Sequence, residues 1–133
     1  MGSLLIFKAQ PMLSEQRFKG SVNRLAKELE WSHKVALSAS ADIDFIIKKK
    51  GETLFCQRMT DEPFEFGGGN HRFKIEHIPH FYFEGEEAKE LKITFTRSGW
   101  MNPEGKIKLD SSGKSYEISL NPGENQRILA KET

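Results

Sequence analysis

The sequence predicts an α+β fold in which one long N-terminal helix packs on antiparallel β-sheets of seven or eight short strands. A hydrophobic pattern with the period of an α-helix runs through residues 12–40, and from residue 41 the pattern changes to the period of a β-strand. Short turns join strand-like segments that alternate apolar and polar residues. This arrangement is typical of antiparallel sheets with one buried face.

Length and charge narrow the class of protein. The chain has 133 residues, which predicts a single domain over residues 1–133 with a β-domain at 41–133. Its 20 basic and 19 acidic residues give a net charge of +1, so composition offers no electrostatic reason to expect nucleic-acid binding. The basic run Lys48-Lys49-Lys50 lies beside a predicted turn, where we expect it to face solvent.

The predicted helix has one apolar face. Its apolar and small residues recur at alternating spacings of four and three, which places them on one side of a helix. This face comprises Phe18, Val22, Leu25, Leu29, Ser32, Ala36 and Ala39. We expect it to pack on the sheet, with the small residues of its C-terminal half allowing a close approach.

The first two strands are predicted to form a hairpin. Ile43, Phe45 and Ile47 alternate with polar residues, a turn follows at Gly51, and residues 53–59 form the next strand. After a loop at 60–70, Pro79 separates two further strands. Four further strands are predicted, around Leu91, Ile107 and Tyr116 and at Arg127 to Ala130. A turn at 85–89 precedes the first of these strands, and a loop at 98–105 follows it.

Candidate catalytic and metal-binding residues are few. His71, His77 and His80 are close in sequence, but a zinc site needs three or four ligands and no second cluster completes one. An enzyme built on these histidines is the weaker alternative, and we expect no catalytic residue, no cofactor and no metal ion. Cys56 is the single cysteine and is predicted to be a buried small hydrophobic residue.

Aromatic residues suggest contacts with partners. Phe81 and Tyr82 would present aromatic rings on both faces of one strand, and Trp100 lies in a predicted loop. Core packing is the ordinary explanation for each ring, and a contact with a partner is the alternative. The same three residues could form a stacking platform in a carbohydrate-binding β-domain without catalysis.

Several short motifs together resemble a known family. The helix segment contains Leu29, Trp31, Ser32, His33, Ala36 and Leu37, and the later segments are Ile43 to Phe55, Ile93 to Gly99, Gly105 to Leu109 and Tyr116 to Leu120. In this order they resemble the GspH/FimT family of type IV pilin-like proteins, the minor pseudopilins of type II secretion systems and type IV pili. The similarity covers most of residues 18–130.

The resemblance implies an assembly role. In that family a leader is cleaved, the new N-terminus is methylated, and an apolar helix holds the subunit in the inner membrane. Residues 1–11, with Leu4, Leu5, Ile6 and Phe7, resemble the last part of that helix. The resemblance thus implies a helix stump, with the first half of the apolar helix missing. The expected partners are other pilin-like subunits and the inner membrane, with a periplasmic β-domain that could also contact a secreted substrate.

Overall fold

The structure, a computed structural model, describes residues 2–60, 70–121 and 127–133, with side chains from Leu13 onward. One helix, α1 (Gly2–Ala39), precedes two antiparallel sheets of five strands each. The helix packs on both sheets. The predicted α+β class, with one N-terminal helix on antiparallel sheets, is therefore confirmed.

The described part of the chain contains ten strands. They are β1 (Ile43–Lys50), β2 (Thr53–Met59), β3 (His71–Ile75), β4 (His80–Phe83), β5 (Glu86–Glu87), β6 (Glu90–Phe95), β7 (Met101–Asn102), β8 (Gly105–Ser111), β9 (Lys114–Leu120) and β10 (Ala130–Glu132). Sheet 1 has the order β3-β2-β1-β6-β7, and sheet 2 has the order β10-β9-β8-β4-β5. Consecutive hairpins build each sheet, and the chain passes between the sheets after β3, β5 and β7.

The core lies between the helix and the inward faces of both sheets. Alternate residues of the central strands point inward because successive side chains in a strand face opposite sides. In sheet 1 the inward residues include Phe45 and Ile93, and in sheet 2 they include Leu109 and Ile118; all four are fully buried. These side chains and the apolar face of α1 form one continuous hydrophobic cluster.

The predicted helix face lies largely in this core. Six of its seven residues are at most 2% exposed: Phe18, Val22, Leu25, Leu29, Ser32 and Ala36. Ala39, the last of the set, is half-buried. The small residues Ser32 and Ala36 let the backbone of α1 approach the sheets closely, because neither side chain extends far from the helix axis.

The helix begins earlier than the sequence pattern predicts. The pattern marks helix from residue 12, since proline is favoured in the first turn of a helix, and residues 1–11 were interpreted as helix only on the resemblance; the backbone of α1 is helical from Gly2 through Pro11. Pro11 removes one backbone hydrogen-bond donor from the helix. The helix nevertheless continues on both sides of this position.

The end of the helix is fixed by backbone hydrogen bonds. Ser40 has a φ of 52°, and the amides of Ser40 and Ala41 donate to the carbonyls of Leu37 (3.4 Å) and Ala36 (3.1 Å). This is the bonding pattern of a Schellman motif, which satisfies carbonyls that the helix leaves without a partner.

The strand count and three segments differ from the prediction. The two-residue strands β5 and β7 lie within the segments expected to be a turn at 85–89 and a loop at 98–105. The last strand is Ala130–Glu132 rather than 127–130, because Ala130 is the residue that pairs with Ile118 of β9. Most of the loop expected at 60–70 lies outside the described residues.

Candidate functional site

Among the side chains of α1 that the structure describes, the first buried one along the chain is that of Phe18. Its ring meets Tyr116 of β9 edge-to-face, with ring centroids 5.6 Å apart. The five preceding side chains, from Leu13 to Arg17, are exposed, and Leu13 retains 47% of its accessible surface. The helix backbone nevertheless continues back to Gly2. Within the described side chains, the buried face of α1 therefore begins at Phe18.

A buried arginine joins the middle of α1 to sheet 1. Arg58 extends inward from β2 and is 8% exposed. Its Nη1 donates to Oε2 of Glu28 at 2.9 Å and to Oγ of Ser32 at 3.4 Å. Its guanidinium carbon lies 4.2 Å from the ring centroid of Trp31, within cation–π range. The helix and the sheet are thus linked by an ion pair under an aromatic ring.

Two opposing effects act on the charge of Arg58. Burial lowers the pKa of the guanidinium, and the carboxylate of Glu28 raises it. The Nε atom of Arg58 is buried and has no hydrogen-bond partner among the described residues. Because Glu28 is the carboxylate that compensates this buried charge, the ion pair is needed to keep Arg58 in place.

A histidine holds the loop that carries Trp100. His33 is 1% exposed, and its Nε2 lies 3.0 Å from the carbonyl oxygen of Gly99, so a proton on Nε2 completes a hydrogen bond. Gly99 has a φ of 97°, and a Cβ there would lie 3.1 Å from Cδ2 of Leu37. Both the backbone conformation and the packing on α1 therefore favour glycine at this position.

The three aromatic residues predicted to contact partners do not form one surface. Phe81 is fully buried because it takes an inward place in β4, so the ordinary explanation of core packing applies to this ring rather than the alternative of a partner contact. Tyr82 is half-buried and stacks on His80 with centroids 6.5 Å apart. Trp100 is 59% exposed and precedes β7 in sheet 1, whereas Tyr82 belongs to sheet 2. Trp100 is thus the most accessible of the three.

The histidines and the cysteine do not form a reactive cluster in the described ranges. His71 stacks on Phe73 in sheet 1, with ring centroids 5.4 Å apart, while His80 lies in sheet 2. Across residues 2–60, 70–121 and 127–133, no three His, Cys, Asp or Glu side chains are grouped as metal ligands. Cys56 is 3% exposed, and burial raises the pKa of its thiol to about 12.

For the predicted membrane stump the structure describes the backbone but not the side chains. The side chains of Leu4, Leu5, Ile6 and Phe7 lie outside those that the structure describes, although the backbone there is helical. In the described part of the chain, no helix combines the length and the apolar character that crossing a bilayer requires.

The Glu28–Arg58 pair was missed by the sequence analysis. Glu28 lies beside the apolar face rather than on it, and Arg58 is 30 residues away along the chain. One signal was available, since Arg58 occupies an inward place in β2 after Leu54 and Cys56. A charged residue at an inward place of a strand requires a buried partner.

Comparisons with protein-family models, with curated proteins and with solved structures found no match to this chain. The functional conclusion therefore depends on the helix, on how it packs, and on the surfaces that the sheets leave exposed.

Proposed function

We propose that the chain is a structural subunit of a pilin-like filament, of the minor pseudopilin type, that assembles with other pilin-like subunits through its N-terminal helix. The observation that supports this most is the uneven packing of α1. Among the described side chains of α1, those from Leu13 to Arg17 are exposed and burial begins at Phe18, while the helix backbone extends back to Gly2. At a rise of about 1.5 Å per residue, roughly 24 Å of helix precedes Phe18.

The sequence of this leading segment fits an assembly role. Leu4, Leu5, Ile6 and Phe7 are apolar, and Leu13 is 47% exposed on the part of the helix whose side chains are described. An apolar helix is stable when lipid or other helices cover it. In a filament the leading segments of neighbouring subunits cover one another, and the two sheets lie outside that bundle.

The resemblance to the GspH/FimT family points to the same role. In this role the chain acts by contact with other proteins and not by catalysis. The leading helix is placed in the inner membrane before assembly, and the sheets lie in the periplasm. The Glu28–Arg58 ion pair and the His33–Gly99 contact keep the sheets attached to the helix that enters the filament.

Photo-crosslinking at Leu13 tests the proposal. A photoreactive amino acid at this exposed position should crosslink, in the cells that express the gene, to proteins that themselves begin with a long apolar helix. The matched control places the same amino acid at Lys108, an exposed position on the outer face of β8. Crosslinks at Leu13 that equal those at Lys108, or none at either position, would contradict the assembly role.

The gene itself offers an independent test. If the chain functions as a minor pseudopilin, the codons that precede Met1 in the genome should encode a leader and an apolar segment with a glutamate. An open reading frame in which Met1 is the natural first residue would overturn the proposal.

A further inference from the structure

The outer face of sheet 1 carries an exposed aromatic ring among basic side chains. Phe55 of β2 is 38% exposed, and the register places Lys48 of β1 and Lys74 of β3 directly opposite it. The ammonium groups of Lys74 and Lys50 lie 5.5 Å and 5.7 Å from the centroid of its ring. Both distances are within cation–π range.

These side chains border a shallow groove of about 450 Å³. We call it the Phe55 groove and define it by Ile46, Lys48, Phe55, Gln57, Arg72 and Lys74. Ile46 and Phe55 supply apolar surface, whereas Lys48, Arg72 and Lys74 supply positive charge. A groove of this composition suits a ligand that is both anionic and apolar.

None of the basic side chains that border this groove forms an ion pair within the described ranges. No ion pair recorded there joins Lys48, Lys50, Arg72 or Lys74 to a carboxylate. Glu90 lies opposite Lys48 in the register of β1 and β6, but these two side chains form none of those pairs. The face therefore presents positive charge to an approaching molecule.

Sheet 2 shows the opposite arrangement on its outer face. Lys106 pairs with Glu117 at 3.5 Å, and Lys108 pairs with Asp110 at 3.9 Å. Lys114 pairs with Glu132 at 3.4 Å. The chain thus neutralises the lysines of sheet 2 with its own carboxylates, and it leaves those around Phe55 to interact with another molecule.

A molecule in this groove would lie on the face of sheet 1 rather than along its edge. β3 is the outermost strand on this side of the sheet, but side chains of α1 already bind one of its carbonyls and the carbonyl of the residue that follows it. Arg24 Nη1 donates to the carbonyl of Lys74 at 2.9 Å, and Ser21 Oγ donates to the carbonyl of Glu76. A strand added along β3 would have to displace these bonds.

We propose that the Phe55 groove binds an acidic polypeptide segment of another protein. Its carboxylates bond to Lys48, Arg72 and Lys74, and an apolar side chain between them packs on Phe55 and Ile46. A polypeptide fits better than a lipid surface because the groove is concave, and a side chain can enter it. This inference goes beyond the filament role and does not depend on it.

A fluorescein-labelled peptide, Glu-Glu-Phe-Glu-Glu, is a suitable probe, with fluorescence anisotropy as the readout on the intact chain. We expect saturable binding that weakens with added salt. Replacing both opposite lysines, K48Q with K74Q, should raise Kd about fivefold, since two exposed ion pairs are lost. F55A should also raise Kd, and K106Q with K108Q on sheet 2 is the matched control with unchanged Kd.

Three outcomes would overturn the inference. They are the absence of saturable binding, equal losses in the groove and control variants, and equal binding of the uncharged peptide Gln-Gln-Phe-Gln-Gln. Binding to phosphatidylglycerol vesicles without binding to the acidic peptide would assign the groove to a membrane surface and would also overturn it. Far-UV circular dichroism checks that each variant is folded, and all replaced side chains are exposed or line an open groove.

Discussion

Arg58 is a charged side chain in a largely apolar environment, so its stability depends on its partners. Removing the charge of Glu28 leaves the guanidinium buried with a weaker acceptor. A broken buried ion pair costs several kcal/mol, and solvent reduces this cost here because the side chain of Glu28 is 28% exposed. We expect Glu28→Gln to lower the free energy of unfolding by about 2 kcal/mol, measured by urea denaturation.

The matched control is Glu117→Gln. Glu117 pairs with Lys106, whose side chain is 66% exposed, so we expect a change of less than about 0.5 kcal/mol. If the two substitutions lowered stability equally, the Glu28–Arg58 pair would have no special role in joining α1 to sheet 1.

Because of Cys56, the stability of the folded protein should decrease at alkaline pH. Burial raises the pKa of its thiol from 9.0 to about 12 in the folded protein. Between these values the unfolded chain loses the thiol proton and the folded protein keeps it, so stability falls as the pH rises. From pH 8 to pH 10 this costs roughly 1.4 kcal/mol.

The measurement compares the wild-type chain with Cys56→Ala. Urea denaturation at pH 8 and at pH 10 should show a smaller loss of stability in the variant, because the variant lacks the thiol. Lysine and tyrosine titration affects both proteins and cancels in the comparison. An equal loss in both would show that the thiol ionises as readily in the folded protein as in the unfolded chain.

At the residue scale, burial was easier to predict from sequence than pairing. The spacing of Phe18, Val22 and Leu25 places them on one helix face, because helical period is a local property. The contact between Glu28 and Arg58 depends on how α1 lies across sheet 1, which no local spacing encodes. Phe81 was ambiguous, since Tyr82 and Phe83 beside it are aromatic too and alternation could not show which rings face inward.

The end of α1 illustrates how one residue can determine the length of an element. Ser40 adopts a left-handed φ of 52°, which costs a non-glycine residue about 1 kcal/mol. Glycine removes this cost, although it also increases the entropy of the unfolded chain. We expect Ser40→Gly to raise the free energy of unfolding by about 0.5 kcal/mol, measured by thermal or urea denaturation.

Ser38→Gly provides the control two residues earlier. Ser38 lies within α1, where glycine is less favourable than serine by about 0.5 kcal/mol, so this variant should be less stable than the wild type. A gain in stability at both positions, or a loss at both, would contradict the assignment of Ser40 to the helix cap.

At the element scale, strands with a clear alternation were predicted well. The residues 53–59 predicted for the second strand coincide with β2, because a turn at Gly51 fixes where it begins. The short strands β5 and β7 lack a pattern long enough to detect, and each is ordered by one neighbouring strand. The hydrophobic pattern marked the helix only from residue 12, after Pro11, whereas the resemblance also implied helix over residues 1–11.

The two sheets should unfold together because α1 contacts both of them. Phe45 of β1 and Ile118 of β9 lie in strands that are paired on both sides. Their amide protons should therefore exchange through global unfolding, with opening free energies that agree within about 1 kcal/mol. Hydrogen exchange followed by NMR measures both.

Phe18→Ala sharpens this test. Phe18 meets Tyr116 of sheet 2, and its truncation should cost about 3 kcal/mol. In a cooperative molecule the loss appears equally at Phe45 and at Ile118. A loss confined to Ile118 would show that sheet 2 opens independently of sheet 1.

At the scale of the whole molecule, the sequence predicted the class of fold but not how the strands divide into two sheets. That division depends on where the chain crosses, after β3, β5 and β7. Breaks such as Pro79 mark where strands end, but they do not show which sheet the next strand joins. The Phe55 groove could not be predicted for the same reason. Lys48, Phe55 and Lys74 become neighbours through the pairing of three strands.

The hydrogen bonds from Arg24 to the carbonyl of Lys74 in β3, and from Ser21 to the carbonyl of Glu76 just after it, also bear on how the protein behaves when crowded. An open strand edge is where identical chains most readily stack into aggregates. With these acceptors already occupied by its own helix, sheet 1 offers a poor template for such stacking on this side. Many copies can therefore be held close together while each keeps its own fold.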